Sequence, residues 1–443
     1  MKKLFSTLSN IWKIDELRVR ILYTLLILLV YRIGSFIVLP GVDPNSLQAQ
    51  EKEGLLGLLN MFAGGSFSRA SIFALGVMPY ISASIVVQLL GIAVPYFQKM
   101  QKEGESGRKK INQITRYLTI AITAMQAVGY VKSQVAADAR LISEPWFTIS
   151  CVFVLTAGTM FVMWMGEKIT DKGIGNGISI IIMTGIIAEL PSGLVSEFSS
   201  RQSGQGGLIA FILEIVVLFA IVMFTVLIIQ GTRKVPVQYA KKIVGSKQYG
   251  GVRQYIPLKL NAAGVMPIIF AQAIMFIPST IGQFFPNMQS PILASFSDYT
   301  SLAYNLTFAI LIILFTFFYT AITINPNQMA DDMKKNGGFV PGVKPGKTTA
   351  DYIDAIISQI TLPGAISLAF IAILPSIAII LGVNSQFAHF FGGTSLLILV
   401  AVVLDTLQQV ESHLLMRHYD GLMKTGRIKG RNPENTLSSG SAI

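Results

Sequence analysis

The stretch "GVMPYISASIVVQLL" (76–90) contains no charged residue, and its first four residues recur in "GVMPIIFAQAIMFIP" (264–278). In both copies an isoleucine follows five positions after the glycine. The prolines of the two copies, Pro79 and Pro267, lack an N–H, so each removes one hydrogen bond from a helix that contains it. We therefore predict that both segments kink or begin a new helix at this point.

The surrounding composition is that of an integral membrane protein. Hydrophobic residues make up 52% of the chain and charged residues only 13%, against roughly 25% charged residues in soluble domains. The one cysteine, Cys151, has no partner for an intramolecular disulfide, and the three histidines form no metal-binding motif with it. Neither a metal nor a cofactor is predicted.

Apolar runs predict ten membrane helices, since one span needs about 20 apolar residues. The ten candidate spans are 21–40, 71–97, 114–133, 147–166, 174–192, 207–231, 262–284, 301–325, 362–383 and 391–416. Of the 35 Lys and Arg residues, 29 fall in the leader, in alternate loops and in the tail. By the positive-inside rule these segments are cytoplasmic, and both termini lie on that side.

Ten spans divide into two halves of five, and an odd number of spans per half makes the repeat inverted. The repeated tetrapeptides then occupy corresponding helices. We predict five segments: a cytoplasmic amphipathic segment 1–20, a first half 21–192, an external flexible hinge 193–206 in a Gly/Ser-rich stretch, a second half 207–416, and a cytoplasmic tail 417–443.

The lining that these helices offer is aliphatic. Val77 and Ile81 are four residues apart and share a helix face, as do Val265 and Ile269. An ion-coupled transporter places polar or ionisable groups at its broken helices, whereas a hydrophobic constriction closes a pore by excluding water. The interrupted stretch 60–75 before the first copy is predicted to be a short re-entrant or half-helix that stops the outer mouth.

Other features are less specific. "GIGNGIS" (173–179) is predicted to be a tight turn in which Asn176 caps the next helix. Glu214, Asp405 and Glu411 lie in or at the ends of spans, and either pair locally or mark an ion path. The two histidines near the end of the chain lack a HExxH arrangement, and no catalytic constellation predicts an enzyme.

Several ordered motifs resemble one family over residues 18–430. They are "YRIGSF" (31–36), "GGSFSRASIFALGVMPYISASI" (64–85), "KEGESGRKKI" (102–111), "GEKITDKGIGNGISIII" (166–182), "IPLKLNAAGVMP" (256–267), "NPNQMADDMKKNGGFVPGVKPGKTTADYID" (325–354) and "FGGTSLLILV" (391–400). The chain is similar to the SecY family, the channel subunits of the Sec protein translocase. The resemblance implies an all-α membrane protein of ten helices in two pseudo-symmetric inverted halves, which hinge between spans five and six.

The resemblance also implies site residues. The pore ring falls on Val77, Ile81, Ile182, Ile186, Ile269 and Ile398. The lateral gate between spans two and seven contains Ser82, Ser84, Gln88 and Gln272. The plug, 61–75, contains Phe62, Gly64, Gly65, Phe67, Ser68 and Arg69.

Two cytoplasmic loops are implied to bind the ribosome and the SecA ATPase. Their basic residues are Arg233, Lys234, Lys241, Lys242, Lys247, Arg253, Lys334, Lys335, Lys344 and Lys347. Lys344 stands where the family usually has arginine, so the charge is kept and the bidentate fork is lost. Small SecE-like and SecG-like membrane subunits and anionic lipids are further implied partners.

The predicted function is a passive channel in the bacterial cytoplasmic (inner) membrane. It passes unfolded secretory chains across the membrane and releases the apolar segments of membrane proteins sideways into lipid. The five-plus-five arrangement leaves an inverted-repeat secondary transporter as the alternative.

Overall fold

The computed structural model describes residues 12, 14–43, 55–135, 139–204, 207–239, 242–244, 247–249, 253–284, 298 and 300–425. In the first half the helices are α1 Asp15–Gly34, α2 Leu55–Phe62, α3 Met78–Ala93, α4 Pro95–Lys102, α5 Glu105–Gln134, α6 Trp146–Lys172 and α7 Gly177–Gln202. In the second half they are α8 Gly207–Gln230, α9 Met266–Phe284, α10 Leu302–Thr323, α11 Pro326–Lys335, α12 Lys347–Ile380, α13 Ser385–Ala388 and α14 Gly393–Thr425, with a 3₁₀ turn His389–Phe391. The strands are β1 Thr232–Tyr239, β2 Lys242–Val244, β3 Lys247–Tyr249, β4 Arg253–Lys259 and β5 Gly338–Phe339.

Each of the ten predicted spans falls on a helix. Within the described residues six helices are long and apolar enough to cross a membrane, and the bent pair α3 and α4 passes the same test as one unit. The other three are less apolar or shorter: α1 carries three arginines, α5 begins with a charged turn, and the apolar part described for α9 is 266–275. Charged residues near the helix ends account for the difference in α1 and α5.

The repeated tetrapeptide forms the same local structure twice, which confirms the prediction that new helices begin there. Gly76 and Gly264 both have a positive φ, 53° and 65°, which glycine adopts without strain. Helices α3 and α9 begin at the methionine that follows two residues later, with proline at the second helical position. A backbone N–H at the start of a helix has no acceptor within that helix, so proline costs no hydrogen bond at this position.

Equivalent hydrogen bonds follow in the two copies. The N–H of Ile81 donates to the carbonyl oxygen of Val77 at 3.1 Å, and the N–H of Ile269 donates to that of Val265 at 3.3 Å. Helix α3 packs on α5 as α9 packs on α10. Corresponding helices thus have corresponding neighbours, as an inverted repeat requires.

A small sheet joins the two basic loops. Strand β1 lies between β4 and β5, all antiparallel, so that Gln238 pairs with Phe339 of the second loop. Behind the sheet, Val235, Val237 and Leu258 pack with Met333 of α11 and with the first turns of α12. The loops that the sequence presents as separate are one folded unit.

Several predicted boundaries are wrong. Residues 193–202 are helical and not a flexible hinge, because Arg201 in the last turn of α7 pairs with Glu197 one turn earlier. Residues 15–20 belong to α1 and not to a surface segment, and α14 continues to Thr425, beyond the predicted start of the tail. Most of the predicted amphipathic segment, and the tail after 425, lie outside the described residues.

Two further corrections concern the second span. Its predicted start, 71–77, is a series of turns, and so is most of the predicted half-helix 60–75, because α2 ends at Phe62. At its carboxyl end the helix breaks before Pro95, and α4 leaves α3 at an angle of 103°. A proline and the amphipathic sequence after it explain why the chain turns along the surface there.

Candidate functional site

Six aliphatic side chains meet between the two halves. Val77, Ile182, Ile186 and Ile398 are buried in one apolar cluster, and Ile81 and Ile269 pack against it half-buried. They come from α7, α9, α14 and α3 with the residue that precedes it, so no single helix makes the ring. The structure therefore brings together all six residues of the predicted pore ring.

A small cavity lies at this ring. Its volume is about 20 Å³, and it is lined by Ile81, Ile182, Ile269 and Ile398 of the ring together with Phe62 of the plug. About 10–15 Å³ is needed for one water molecule. The cavity consequently has room for about one water molecule.

The gate residues divide into two groups. Ser82 on α3 and Gln272 on α9 line the same cavity, one on each side of the predicted opening. Ser84 and Gln88 instead bond to each other along α3, with Gln88 Nε2 donating to Ser84 Oγ at 3.3 Å. Only the first group is placed to link the two gate helices.

Ile85 connects the two halves and was not predicted from the sequence. It lies on α3, yet it is buried in the apolar cluster of the second half, which contains Ile268 and Ala271 of α9. Its side chain thus connects α3 to the apolar cluster of the second half. An isoleucine in an apolar helix carries no signal of this role in the sequence.

The plug rests on the backbone of α7. A Cβ added to Gly185 would come within 2.6 Å of the carbonyl oxygen of Phe62 and 3.1 Å of the nitrogen of Gly64. Gly64 and Gly65 have positive φ values of 61° and 80°. Glycine on both sides permits this close approach of plug and helix, and Gly185 was not predicted from sequence.

Polar side chains from two other helices hold the carbonyl groups of the plug. Arg32 Nη1 donates to the carbonyl oxygen of Gly64 at 3.1 Å, and Tyr31 Oη donates to that of Ala63 at 3.4 Å. From α5, Tyr130 Oη donates to the carbonyl oxygen of Phe67 at 2.6 Å. The plug is therefore tied to α1 and α5 as well as seated on α7.

Within the plug, Arg69 organises the backbone. Its guanidinium donates to the carbonyl oxygens of Gly64 at 2.8 Å and of Gly65 at 3.0 Å. It also lies 3.9 Å from Glu189 on α7 and 4.3 Å from the ring centroid of Phe36. Ser68 completes the turn, because its N–H donates to Asn60 Oδ1 and its hydroxyl to the carbonyl oxygen of Gly65.

We predict that Tyr130→Phe loosens the plug. The substitution keeps the edge-on contact of the ring with Phe67 at 4.9 Å and removes the hydroxyl donor. Losing one such bond costs about 1 kcal/mol, which is roughly a fivefold change in the ratio of closed to open states. Ion conductance in planar bilayers should rise accordingly. Tyr117→Phe, on the exposed face of α5, is the control and should conduct like the parent. Equal conductance of the two variants contradicts a stabilising role for the hydrogen bond of Tyr130.

Basic side chains lie on and beside the three-stranded sheet, which we call the basic sheet. The exposed ones are Arg233, Lys234, Arg253, Lys334, Lys335, Lys344 and Lys347. Lys242 and Lys247 lie on the hairpin of β2 and β3, and Lys241 lies outside the described residues. The carbonyl oxygen of Lys344 accepts from Thr349 Oγ1 at 2.9 Å, which fixes its turn to α12 while the side chain faces solvent.

The remaining polar predictions have local explanations. Asn176 accepts from the N–H of Ser179 and caps α7, as predicted. Glu214 pairs with Arg201, and Asp405 accepts from Gln409. Among the described residues no group of three or more His, Cys, Asp or Glu is arranged to hold a metal ion.

Comparison with known proteins identifies the family. The SecY family model matches residues 71–407. The chain is 42% identical to the protein translocase subunit SecY of Streptomyces scabiei over 442 residues, which cover 95% of this chain and 100% of that protein. The chain belongs to the SecY family.

Solved structures carry the same fold as this SecY-family chain. One is described as "The structure of a protein conducting channel", with a TM-score of 0.66 and 18% identity over 92% of this chain and 95% of that one. Another is "Sec61 in the Canine ribosome-channel complex from the endoplasmic reticulum", with a TM-score of 0.62, 18% identity and the same two coverages. The chain is a multi-pass membrane protein, and its ten predicted spans, which fall on α1, α3, α5 to α10, α12 and α14, form two halves of five.

Proposed function

We propose that this chain is a protein-conducting channel that moves unfolded polypeptide across the membrane. The observation that carries the proposal is the ring of six aliphatic side chains between the halves, with a plug seated on it and a cavity of about 20 Å³. An apolar constriction excludes water when closed. It also leaves no buried hydrogen-bonding group unsatisfied when its side chains move aside for a peptide.

The second part of the proposal is lateral release. Ser82 on α3 and Gln272 on α9 line one cavity between helices that begin at the same repeated tetrapeptide. If these helices part, the ring opens sideways as well as along its axis. An apolar segment in the ring then partitions into lipid, since a run of about 20 apolar residues is stable there.

The alternative, an inverted-repeat transporter, has less support. Its substrate and ions are bound by polar or charged groups at the broken helices. The described residues around the ring cavity are Phe, Met, Ile and Ala with Ser82, Gln272 and Thr394, and they include no acidic or basic side chain. Such a lining offers no site for a coupled proton or sodium ion.

The proposed setting is the bacterial cytoplasmic membrane, with both termini in the cytoplasm. The basic sheet supports this orientation by the positive-inside rule. We propose that the exposed basic side chains of the sheet dock a ribosome or a SecA ATPase, which supplies the driving force for transport. The apolar outer faces of the helices accommodate SecE-like and SecG-like subunits, and the basic cytoplasmic face attracts anionic lipids.

A crosslinking experiment tests the proposal. A photoreactive amino acid at Ile81 or Ile398 is irradiated with a secretory chain stalled on the ribosome, and the same group at the lipid-facing Phe153 serves as control. We expect adducts with the stalled chain at both ring positions and none at Phe153. Adducts at none of the three positions contradict a polypeptide path, and proton- or sodium-driven uptake of a small solute by the purified chain supports the transporter.

We predict that Lys344→Glu weakens motor-driven transport. The side chain is exposed at a turn of the basic sheet, so reversing its charge repels an acidic partner surface. Losing one surface pair and adding one repulsion amounts to roughly 1–2 kcal/mol, or about tenfold in affinity. The effect is measured as the rate of ATP-driven translocation by the reconstituted channel and motor. Lys132→Glu is the matched control, because Lys132 is an exposed lysine in the last turn of α5 and lies on the opposite predicted side of the membrane. Equal rates for the two variants remove the Lys344 turn from the docking surface.

A further inference from the structure

A buried ion cluster lies at the end of α7 that is remote from the basic sheet. Glu197 is fully buried, and Arg201 and Glu214 are 8% and 7% exposed. Arg201 Nε donates to Glu197 Oε1 at 2.8 Å, and Arg201 Nη2 donates to Glu214 Oε1 on α8. The last turn of α7 is therefore ion-paired to α8 across the connection 203–206.

The same cluster reaches the turn between α12 and α13. Arg201 Nη2 also donates to the carbonyl oxygen of Gly382 at 2.9 Å, and the N–H of Asn384 donates to Glu197 Oε2 at 2.8 Å. Nearby, a Cβ on Gly193 would lie 3.3 Å from the Phe390 ring. Helices α8, α12 and α13 all belong to the second half, so residues 193–201 of α7 are fixed to that half.

The other part of α7 is fixed to the first half. The N–H of Gly177 donates to Thr170 Oγ1 on α6 at 2.9 Å, and Gly185 carries the plug. One neutral hydrogen bond, from Gly175 N–H to Gln409 Oε1 on α14 at 2.9 Å, and apolar contacts also connect this part to the second half. The apolar contacts are those of the ring, which separate in the proposed opening, whereas breaking the bonds of Arg201 would leave charged groups buried without partners.

Pro191 lies between the two parts, in the interior of α7. It has no N–H for the carbonyl oxygen one turn earlier, so the helix is weakest to bending there. Its ring is exposed, and Gly193 follows two residues later. Helix α7 is thus bonded to the first half before Pro191 and to the second half after it, and Pro191 is the residue where the helix bends most easily.

We propose that α7 bends at Pro191 when the channel opens, and that residues 193–202 move with the second half. The pivot between the halves then lies inside a helix and not in residues 203–206, whose two sides Arg201 and Glu214 join. This inference rests on the proposed function, because it needs an opening motion. It assigns Arg201 the role of a positioning residue that carries the end of α7 with the second half.

Spin-label distances distinguish the two pivots. In a Cys151→Ala background, nitroxide labels are placed at Ser199 on α7 and at either Phe153 on α6 or Leu302 on α10, all exposed. Distances are measured in the empty channel and with a stalled secretory chain inside. We expect the Ser199–Leu302 distance to stay constant and the Ser199–Phe153 distance to shift by several ångström.

The reverse pattern, or two constant distances with the stalled chain inside, overturns the pivot at Pro191 and leaves the proposed function intact. A channel that does not take up the stalled chain contradicts the proposed function itself. The two failures are therefore distinguishable, because retention of the stalled chain is scored separately from the distances.

Two proline substitutions complete the test. Pro191→Ala restores the missing N–H and stiffens α7, so we expect about tenfold slower translocation and a smaller Ser199–Phe153 shift. Pro363→Ala is the matched control, since Pro363 is also exposed and lies inside α12, within the second half. Equal rates and equal shifts for the two variants overturn the proposal.

Discussion

A disulfide between cysteines that replace Ser82 and Gln272 will stop polypeptide passage. The two side chains line the same cavity of about 20 Å³ from opposite sides of the gate. A disulfide needs Cβ atoms about 3.5–4.5 Å apart, and it fixes α3 to α9. Because the ring contains residues of both helices, it then has no way to widen for a polypeptide.

The measurement is export of a secretory protein into vesicles before and after oxidation, in a Cys151→Ala background. We expect export to fall to the level of empty vesicles and to return on reduction. The single variants Ser82→Cys and Gln272→Cys are the controls, since each lacks the second cysteine and leaves the gate free. Full export with a formed Ser82–Gln272 bridge removes these helices from the opening.

The helices and their order are predictable from the sequence because each span has to bury a long apolar run in lipid. The starts of α3 and α9 are predictable for a different reason. Proline and glycine restrict the backbone wherever they occur, so the repeated tetrapeptide specifies the same turn in both halves. In these cases the residues of the local segment are enough to predict where the helix begins.

The hinge was mispredicted because its stability depends on distant residues. The stretch 193–202 is rich in serine, which is typical of a loop. It is helical because Arg201 and Glu197 find partners at Glu214, Gly382 and Asn384, up to 187 positions away in the chain. No local pattern reports such a cluster.

Ile85 and Gly185 were missed for a related reason. Each is an ordinary residue of an apolar helix, and its role is set by a helix or plug that the fold brings against it. The six ring residues were placed by resemblance, since the sequence pattern alone groups only neighbours on one helix. The structure adds what joins them, which is one apolar cluster shared by four helices.

Ile398→Asn will make the closed channel leak. The side chain is 5% exposed and lines the ring cavity, so the change removes burial worth roughly 1.5–3 kcal/mol. The new amide also hydrogen-bonds to water, and a hydrated ring no longer excludes a file of water and ions. Since about 1.4 kcal/mol is a factor of ten, we expect the open population to rise about 10- to 100-fold.

Two readouts check this expectation together: single-channel conductance in planar bilayers, and export of a substrate with a defective signal sequence. Both should increase, because a seal that opens more readily needs less binding energy from the substrate. Ile398→Leu keeps the apolar volume and should remain tight. Val403→Asn places the same amide on α14 at a residue 37% exposed and should also remain tight, so leakage in this control as well would assign the effect to the helix and not to the ring.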